Sequence, residues 1–448
     1  MLSAADNEVL CRVGPGTPMG KVFREYWIPA VRSDELPGPD SAPLRLKLLG
    51  EELIAYRTTS GAVGVIQNAC PHRGASLFFG RNEEDGLRCV YHGWKFDVTG
   101  ACVDMPSEPA ESNFKNKVRA RAYPTQERNG IIWCYMGPRE VPPPLPDIEA
   151  NIMNTDVEQI SILHRACNWM QGIEGELDTI HAAFLHGGAD KPENQKPKSL
   201  AYYHYKERDN ARFVVRDTDF GTAYGAYRPA EADTNYWRIG YAFFPFFAMQ
   251  AAGEMGPAVK MNAYVPMDDE HTLQWEIYYV TDGPPRAPRT VKINRGTEPA
   301  DSGRGGNYVP QTTDWHGRFN LEQHLDNDYF VDREAQRNWV SYSGIPGIRQ
   351  QDMAVTETMG PIYQRDKEHL GTSDSMIIRT RRRWLAVARA FAENEAALPP
   401  NVDKPRAYRL RSGEVILPRS ADWWDGSRDL REKSLANPPE LAKVNPAG

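Results

Sequence analysis

The chain is poor in cysteine, with six in 448 residues. That density excludes a disulfide-stapled fold, where paired cysteines replace a large core. Long apolar runs are lacking too. The longest uncharged apolar stretch, 241–253, contains Pro245 and Gln250. It falls short of the ~20 residues needed to span a bilayer. The opening MLSAADNEVL has no basic start and no apolar h-region, so no signal peptide and a cytoplasmic location are expected. Excess positive charge is also missing. Basic residues number 53 against 60 acidic ones, a net charge of −7, and no basic tail or stripe offers itself to nucleic acid. What is present is 40% hydrophobic and 25% charged residues, ordinary for a soluble chain long enough for two or three domains.

No internal repeat is found. Residues 44–49, 53–56 and 63–67 read as short strands, with Ser60-Gly61 as a turn between the last two. Asn129-Gly130 before 131–135 signals a hairpin. The run Val141-Pro142-Pro143-Pro144-Leu145-Pro146 cannot continue a sheet or helix and reads as a linker. Beyond it a helix is expected near 171–186, then strands at 213–220, 235–250, 258–266 and 272–280. In the last of these, Leu273, Trp275, Ile277 and Tyr279 alternate with polar residues, the pattern of an antiparallel strand buried on one face. Residues 283–310 read as a long loop. One helix runs from about Gln351 to Gly360-Pro361, and another from near Asp374 with Ile377, Trp384, Leu385, Ala388 and Phe391 on one face. The resulting division is an N-terminal segment 1–25, a first domain 26–140, a second domain 150–435 and a tail 436–448.

Two loops carry the first chemistry. Cys70-Pro71-His72-Arg73-Gly74 and Cys89-Val90-Tyr91-His92-Gly93-Trp94 each pair one cysteine with one histidine and follow a strand-like segment. Two thiolates and two imidazoles can bind zinc, or a [2Fe–2S] cluster in which two histidines replace two cysteines on one iron. Zinc sites pair like ligands in short clips. One cysteine and one histidine per loop suits the asymmetric cluster better. Buried core cysteines with hydrogen-bonded histidines are the bland alternative, and two matched loops argue against it.

The second pattern is Asp178-Thr179-Ile180-His181 followed by His186-Gly187-Gly188. Asp178 and His181, three apart, would share a helix face. His181 and His186, five apart, would diverge by about 140° on a regular helix, so both reach one metal only if the helix is irregular or ends there. The two glycines are a stop signal. Two histidines and a carboxylate make the facial triad of mononuclear non-haem iron(II). Alone the spacing is weak, because most such patterns are helix surface; downstream of the paired loops it gains weight.

Together these segments resemble the Rieske non-haem iron aromatic-ring-hydroxylating oxygenases, alpha subunit. Pro15-Gly16-Thr17-Pro18-Met19-Gly20, Met105-Pro106-Ser107-Glu108 and 314–333 are similar to the phthalate-dioxygenase-like branch. The resemblance implies an α+β chain: an N-terminal all-β Rieske domain, then a catalytic domain with an antiparallel sheet flanked by helices. It implies Cys70, His72, Cys89 and His92 as cluster ligands. Respiratory Rieske proteins brace the loops with an extra disulfide; Ala75 and Tyr91 stand here instead, so a cluster potential at the low end of the range is expected. His181 and His186 are implied as iron ligands. Of Asp326, Asp328, Asp332, Asp352 and Glu357, the third ligand is assigned to Asp352, whose Gln351-Asp352-Met353 setting matches the family's carboxylate segment, with Asp328 next. The family often has asparagine where Gly175 stands. Asp178 matches an aspartate that bridges the cluster of one subunit, through His92, to His181 of the next, in homotrimers or stacked hexamers.

The implied reaction uses O2 and electrons from NADH, passed through a separate flavin and iron–sulfur reductase, to dihydroxylate a phthalate-like aromatic acid. Two alternatives stand: monooxygenation by O-demethylation or ether cleavage, and a Rieske electron carrier without chemistry of its own. The pocket is expected to draw on Tyr241, Phe243 and Phe247, with Phe244, Phe246 and Met249 nearby, although strand aromatics are usually core. Arg208, Arg228 and Arg238 are the guanidiniums in the right region for a carboxylate, though a surface position is the default for each. The basic run 379–383 could dock a reductase, with a solvated helix face as the default.

Overall fold

The computed structural model describes residues 2–153, 159–206, 210–280, 300–301, 306–436 and 445–446. Two antiparallel sheets build the first domain. One orders Trp27–Arg32, Ile131–Tyr135 and Thr125–Arg128; the other orders Leu44–Leu48, Glu51–Arg57, Val63–Gln67 and Ala122–Tyr123. A smaller sheet of Arg81–Glu83, Gly86–Arg88, Lys95–Phe96 and Cys102–Asp104 stands beside them. A separate apolar cluster of Ile54, Tyr56, Ile66, Leu77, Leu87 and Phe96 lies under both cysteine loops and gives them a fixed floor.

The second domain is an eight-stranded antiparallel sheet. Its path runs Gln159–Arg165, Thr272–Val280, Ala258–Pro266, Phe247–Met249, Thr234–Phe243, Gly221–Pro229, Arg212–Thr218, with Gly413–Pro418 also paired to Thr234–Phe243. The alternation read in 272–280 pairs Leu273 with Val265 and Ile277 with Met261, so apolar residues face one another across the ladder. Six helices matter here: α1 Ala4–Cys11, α2 Pro18–Arg24, α3 Trp169–Leu177, α4 Leu200–Lys206, α5 Ile348–Glu357 and α6 Ser375–Glu393. On α6 the buried face is Ile377, Trp384, Leu385, Ala388 and Phe391, as its spacing predicts.

One expectation needs correction, and three segments gain contacts. In the segment 1–25, Asn7 and Cys11 of α1 contact the buried Arg365 of the second domain. The proline run between the domains is packed, since Trp27 Nε1 donates to the Pro143 carbonyl at 2.6 Å. In the tail, Asn445 and Pro446 pair with Glu127 and Gln126 of the first domain. The run 379–383 is a solvated face only in part: Arg379, which pairs with Asp217, and Arg382 are exposed, while buried Arg381 bonds Glu174 and Glu368. Most of the expected loop 283–310 lies outside the described residues, as does Arg208.

One continuous core joins both domains. Their seam adds Leu49 N to Pro266 O at 3.0 Å, and a buried bidentate pair of Arg318 with Glu35. No helix among the described residues is long and apolar enough to cross a membrane.

Candidate metal centres

The two cysteine loops are copies of one turn. In each, the glycine four residues on donates back to the cysteine carbonyl: Gly74 to Cys70 at 2.9 Å and Gly93 to Cys89 at 3.0 Å. In each, the cysteine N–H donates five residues on, Cys70 to Ala75 and Cys89 to Trp94, both at 2.8 Å. Gly74 and Gly93 take φ of 77° and 78°, the left-handed region that a side chain resists. So the sequence places glycine where each turn reverses and sets the two cysteines at equivalent positions, while His72 follows its cysteine by two residues and His92 by three.

The rings of His72 and His92 meet edge to face at 4.5 Å. Trp94 stacks on His72 at 4.3 Å, held by Nε1 donating to Ser107. His92 Nδ1 is buried without a hydrogen-bond partner among the described residues, a nitrogen that a metal bond would satisfy. Burial pushes the Cys70 thiol up to about 11, with the neighbouring Cys89 adding to the rise. A thiolate there calls for metal charge, and one histidine and one cysteine per loop fit a Rieske [2Fe–2S] cluster.

The second centre resolves the five-residue problem. α3 ends at Leu177, and Asp178 caps it in extended conformation rather than sharing a helix face with His181. Asp178 Oδ1 then accepts from Ile180 N at 2.8 Å and His181 N at 3.2 Å, starting a new turn. That turn, Ala182–His186, is a π-helix, closed by Gly187 N donating to Ala182 O at 3.1 Å. Its wider i→i+5 winding brings residues five apart to one side. His181 Nε2 and His186 Nε2 lie 3.1 Å apart.

Asp352, on α5, completes the set. Its Oδ1 is 3.4 Å from His181 Nε2 and 3.1 Å from His186 Nε2. With all three separations between 3.1 and 3.4 Å, His181 Nε2, His186 Nε2 and Asp352 Oδ1 are close enough to hold one metal ion together, and an iron there would supply O2 chemistry. Asp328 does not join the group; it lies in the separate turn Leu325–Phe330. Burial would raise the Asp352 carboxyl, but hydrogen bonds from His181 and His186 hold it well below the usual range. His186 Nδ1 meets Gln351 Oε1 at 2.7 Å, which fixes Nδ1 as the protonated nitrogen and leaves Nε2 as a ligand. His181 Nδ1 is 4.0 Å from Asp178 Oδ2.

Sequence reasoning missed Gln351 as an orienting group, although it sits beside the chosen aspartate. It also missed the brace behind Asp352. Arg349, 3.9 Å from Asp352 Oδ2, is tied to Glu276, and Glu176 accepts from Tyr264 Oη at 2.8 Å. Nothing in the spacing of these residues announces the network, which arises where α3 and α5 meet the sheet.

A cavity of about 320 Å³ opens beside the triad, its wall including His181, Asp352, Arg165, Tyr264, Met359 and Ile377. Tyr241, Phe243 and Phe247 do not line it. They are fully buried core, with Phe247 against Tyr408. Arg228 and Arg238 are buried rather than on the surface; Arg238 pairs with Glu414 and donates Nε to Thr179 at 2.6 Å.

Fold and centres together define a two-centre oxygenase, with a cluster-binding β domain fused to a mononuclear iron domain. Comparisons agree. Residues 26–124 match the Rieske [2Fe-2S] domain, and residues 134–441 match the family described as LigXa C-terminal domain like. The oxygenase subunit of a 3-chlorobenzoate-3,4-dioxygenase from Comamonas testosteroni is 45% identical over 94% of this chain and 97% of its own length. The oxygenase subunit of a phthalate 4,5-dioxygenase from Pseudomonas putida is 36% identical over 95% and 94%. That of a 5,5'-dehydrodivanillate O-demethylase from a Sphingobium species is 33% identical over 93% and 90%. The chain belongs to the Rieske non-haem iron oxygenases, as an oxygenase component of the phthalate-dioxygenase-like branch. Membership carries a Rieske cluster, a mononuclear iron, O2 as co-substrate and a separate electron-donating partner. It also removes the reading as a bare electron carrier.

Proposed function

We propose that the protein dihydroxylates an aromatic carboxylic acid, with Cys70, His72, Cys89 and His92 holding the cluster and His181, His186 and Asp352 holding the iron. The convergence of those last three side chains beside a cavity of ring-sized volume carries the reading. When bound, the iron activates O2 and the cluster stores and delivers single electrons. The chain does the rest. Gln351 fixes the His186 tautomer, Arg349 ties α5 to Glu276 of the sheet and to Glu176 of α3, and the cavity wall orients the ring and keeps water from it.

Arg165 supports an acidic substrate. It is buried in the cavity wall and donates to the neutral acceptors Gln274 at 2.7 Å and Thr356 at 2.6 Å. The acidic Glu174 of the same wall is already held by Arg365 and Arg381. Its hydrogen-bond partners are neutral, while Glu357 and Asp352 act on it through space, and a ligand carboxylate is the partner its guanidinium suits. The similarity to a chlorobenzoate and a phthalate dioxygenase points the same way.

Asp178 is the electron link between His181 and His92 of a neighbouring copy in a homotrimer or stacked hexamer. Its Oδ1 is engaged by the backbone, while Oδ2 faces His181 Nδ1. The cytoplasm is the compartment that suits a reductase drawing on NADH.

The experiment is a panel of 3-chlorobenzoate, phthalate, methoxybenzoates and phenoxybenzoates, run with a reductase under labelled O2. A diol carrying both labelled atoms is expected from a benzoate or phthalate. Formaldehyde release as the main reaction would replace this reading with O-demethylation, which the third relative keeps in view.

A further inference from the structure

A second group of metal-ligating side chains lies away from both centres. The turn between Ala258–Pro266 and Thr272–Val280 carries Asp268 and His271, and a later loop brings His316 against them. Each offers one donor atom, and the three atoms lie within 4.8 Å of one another. Asp268 Oδ1 is 2.9 Å from His271 Nδ1, and Asp268 Oδ2 is 3.6 Å from His316 Nε2.

Two further observations point to a cation. Lys47 of the first domain sets its ammonium 2.7 Å from Asp268 Oδ2 and 3.4 Å from His316 Nε2, so a positive charge already stands among these donors. His164, from the strand Gln159–Arg165, has its ring 5.6 Å from those of both His271 and His316. It is 8% exposed, and its Nε2 is buried with no hydrogen-bond partner among the described residues. A buried nitrogen without a partner is costly, and an ion or its bound water removes the cost. Two or three imidazoles with one carboxylate form a nitrogen-rich set that calcium and magnesium avoid and zinc-class ions prefer.

We propose that Asp268, His271 and His316 form a third metal site, which takes one divalent ion of the zinc class at the seam between the domains. The ion displaces the Lys47 ammonium, and His164 or water fills the remaining position. The site is structural. Its turn also receives the seam bonds of Leu49 and Gly50, to Pro266 and Met267, and the side chain of Asp269 accepts from Val13 N. An ion there ties the turn, the later loop and the edge of the cluster domain together.

The test uses the full chain with its cluster in place and His181→Ala added, which breaks the first triad. Zinc is titrated and bound zinc counted. About one equivalent is expected, falling to background when His316→Ala is added. Lys47→Met is expected to tighten zinc binding about tenfold or more, because no ammonium competes for the carboxylate. The visible spectrum of the cluster and circular dichroism report folding. If His316→Ala does not fold, the Lys47→Met titration decides. Equal zinc with and without His316, or weaker zinc binding in Lys47→Met, overturns the proposal.

Discussion

At the scale of single residues, most of the work is orientation. Gln351 touches no ligand position itself, yet its carbonyl decides which nitrogen of His186 carries the proton. Gln351→Leu removes that acceptor at nearly constant volume. Iron affinity should fall about 10–100-fold, measured by competition with a chelator, while the cluster spectrum stays unchanged. His204, on α4, shows the opposite use of charge. Burial, with Arg238 and Arg228 beside it, pushes its imidazole down to about 2. The unfolded chain binds that proton near pH 6.5 and the native chain does not. Stability is therefore full above pH 6.5 and falls as the pH drops below it, by up to ~1.4 kcal/mol per unit from this group. Denaturant midpoints at pH 7 and pH 5 should differ accordingly, and His204→Gln should flatten part of that difference.

At the scale of elements, the π-turn Ala182–His186 is the decisive piece. It fits tightly: a Cβ on Gly188 would overlap the Phe184 carbonyl oxygen and the Tyr342 ring. Gly188→Ala should unwind or shift the turn and lose most of the mononuclear iron, read as iron per chain, with acid-labile sulfide retained.

How far these elements were legible depended on how local their causes are. The cysteine loops read directly, because a five-residue turn with its own glycine is specified by its own residues. His181 and His186 were legible as a pair, but their meeting was not. A π-turn differs from an α-turn by one residue of winding, and spacing alone does not record it. Asp352 was legible only through the likeness of Gln351-Asp352-Met353 to the family's carboxylate segment, since the 165 residues between it and His186 carry no spacing rule. Tyr241, Phe243 and Phe247 were misplaced because period-two aromatics mark a buried strand, not which buried face borders a cavity. Arg381 looked like part of a basic surface run, yet Glu174 and Glu368, distant in sequence, turn it into a core residue.

At the scale of the whole molecule, the two centres sit in domains joined by one core and a buried seam, so they keep a fixed relation within each chain. The proposed route for electrons instead runs between copies through Asp178. Asp178→Asn separates that role from capping, because an asparagine oxygen still accepts from Ile180 N and His181 N. Turnover with saturating reductase and substrate should fall at least about tenfold, with iron and sulfide contents unchanged. Loss of iron in that variant would mean that the charge serves the metal site alone.

The most direct measurement is an iron and sulfide count on the His181→Ala protein. A Rieske cluster plus one ion gives about three irons and two sulfides per chain in the parent. The substitution should leave about two irons, two sulfides, an unaltered cluster resonance and no substrate-dependent O2 uptake. Three irons still bound, or zinc in place of sulfide-bearing iron at Cys70 and Cys89, would contradict a two-centre protein.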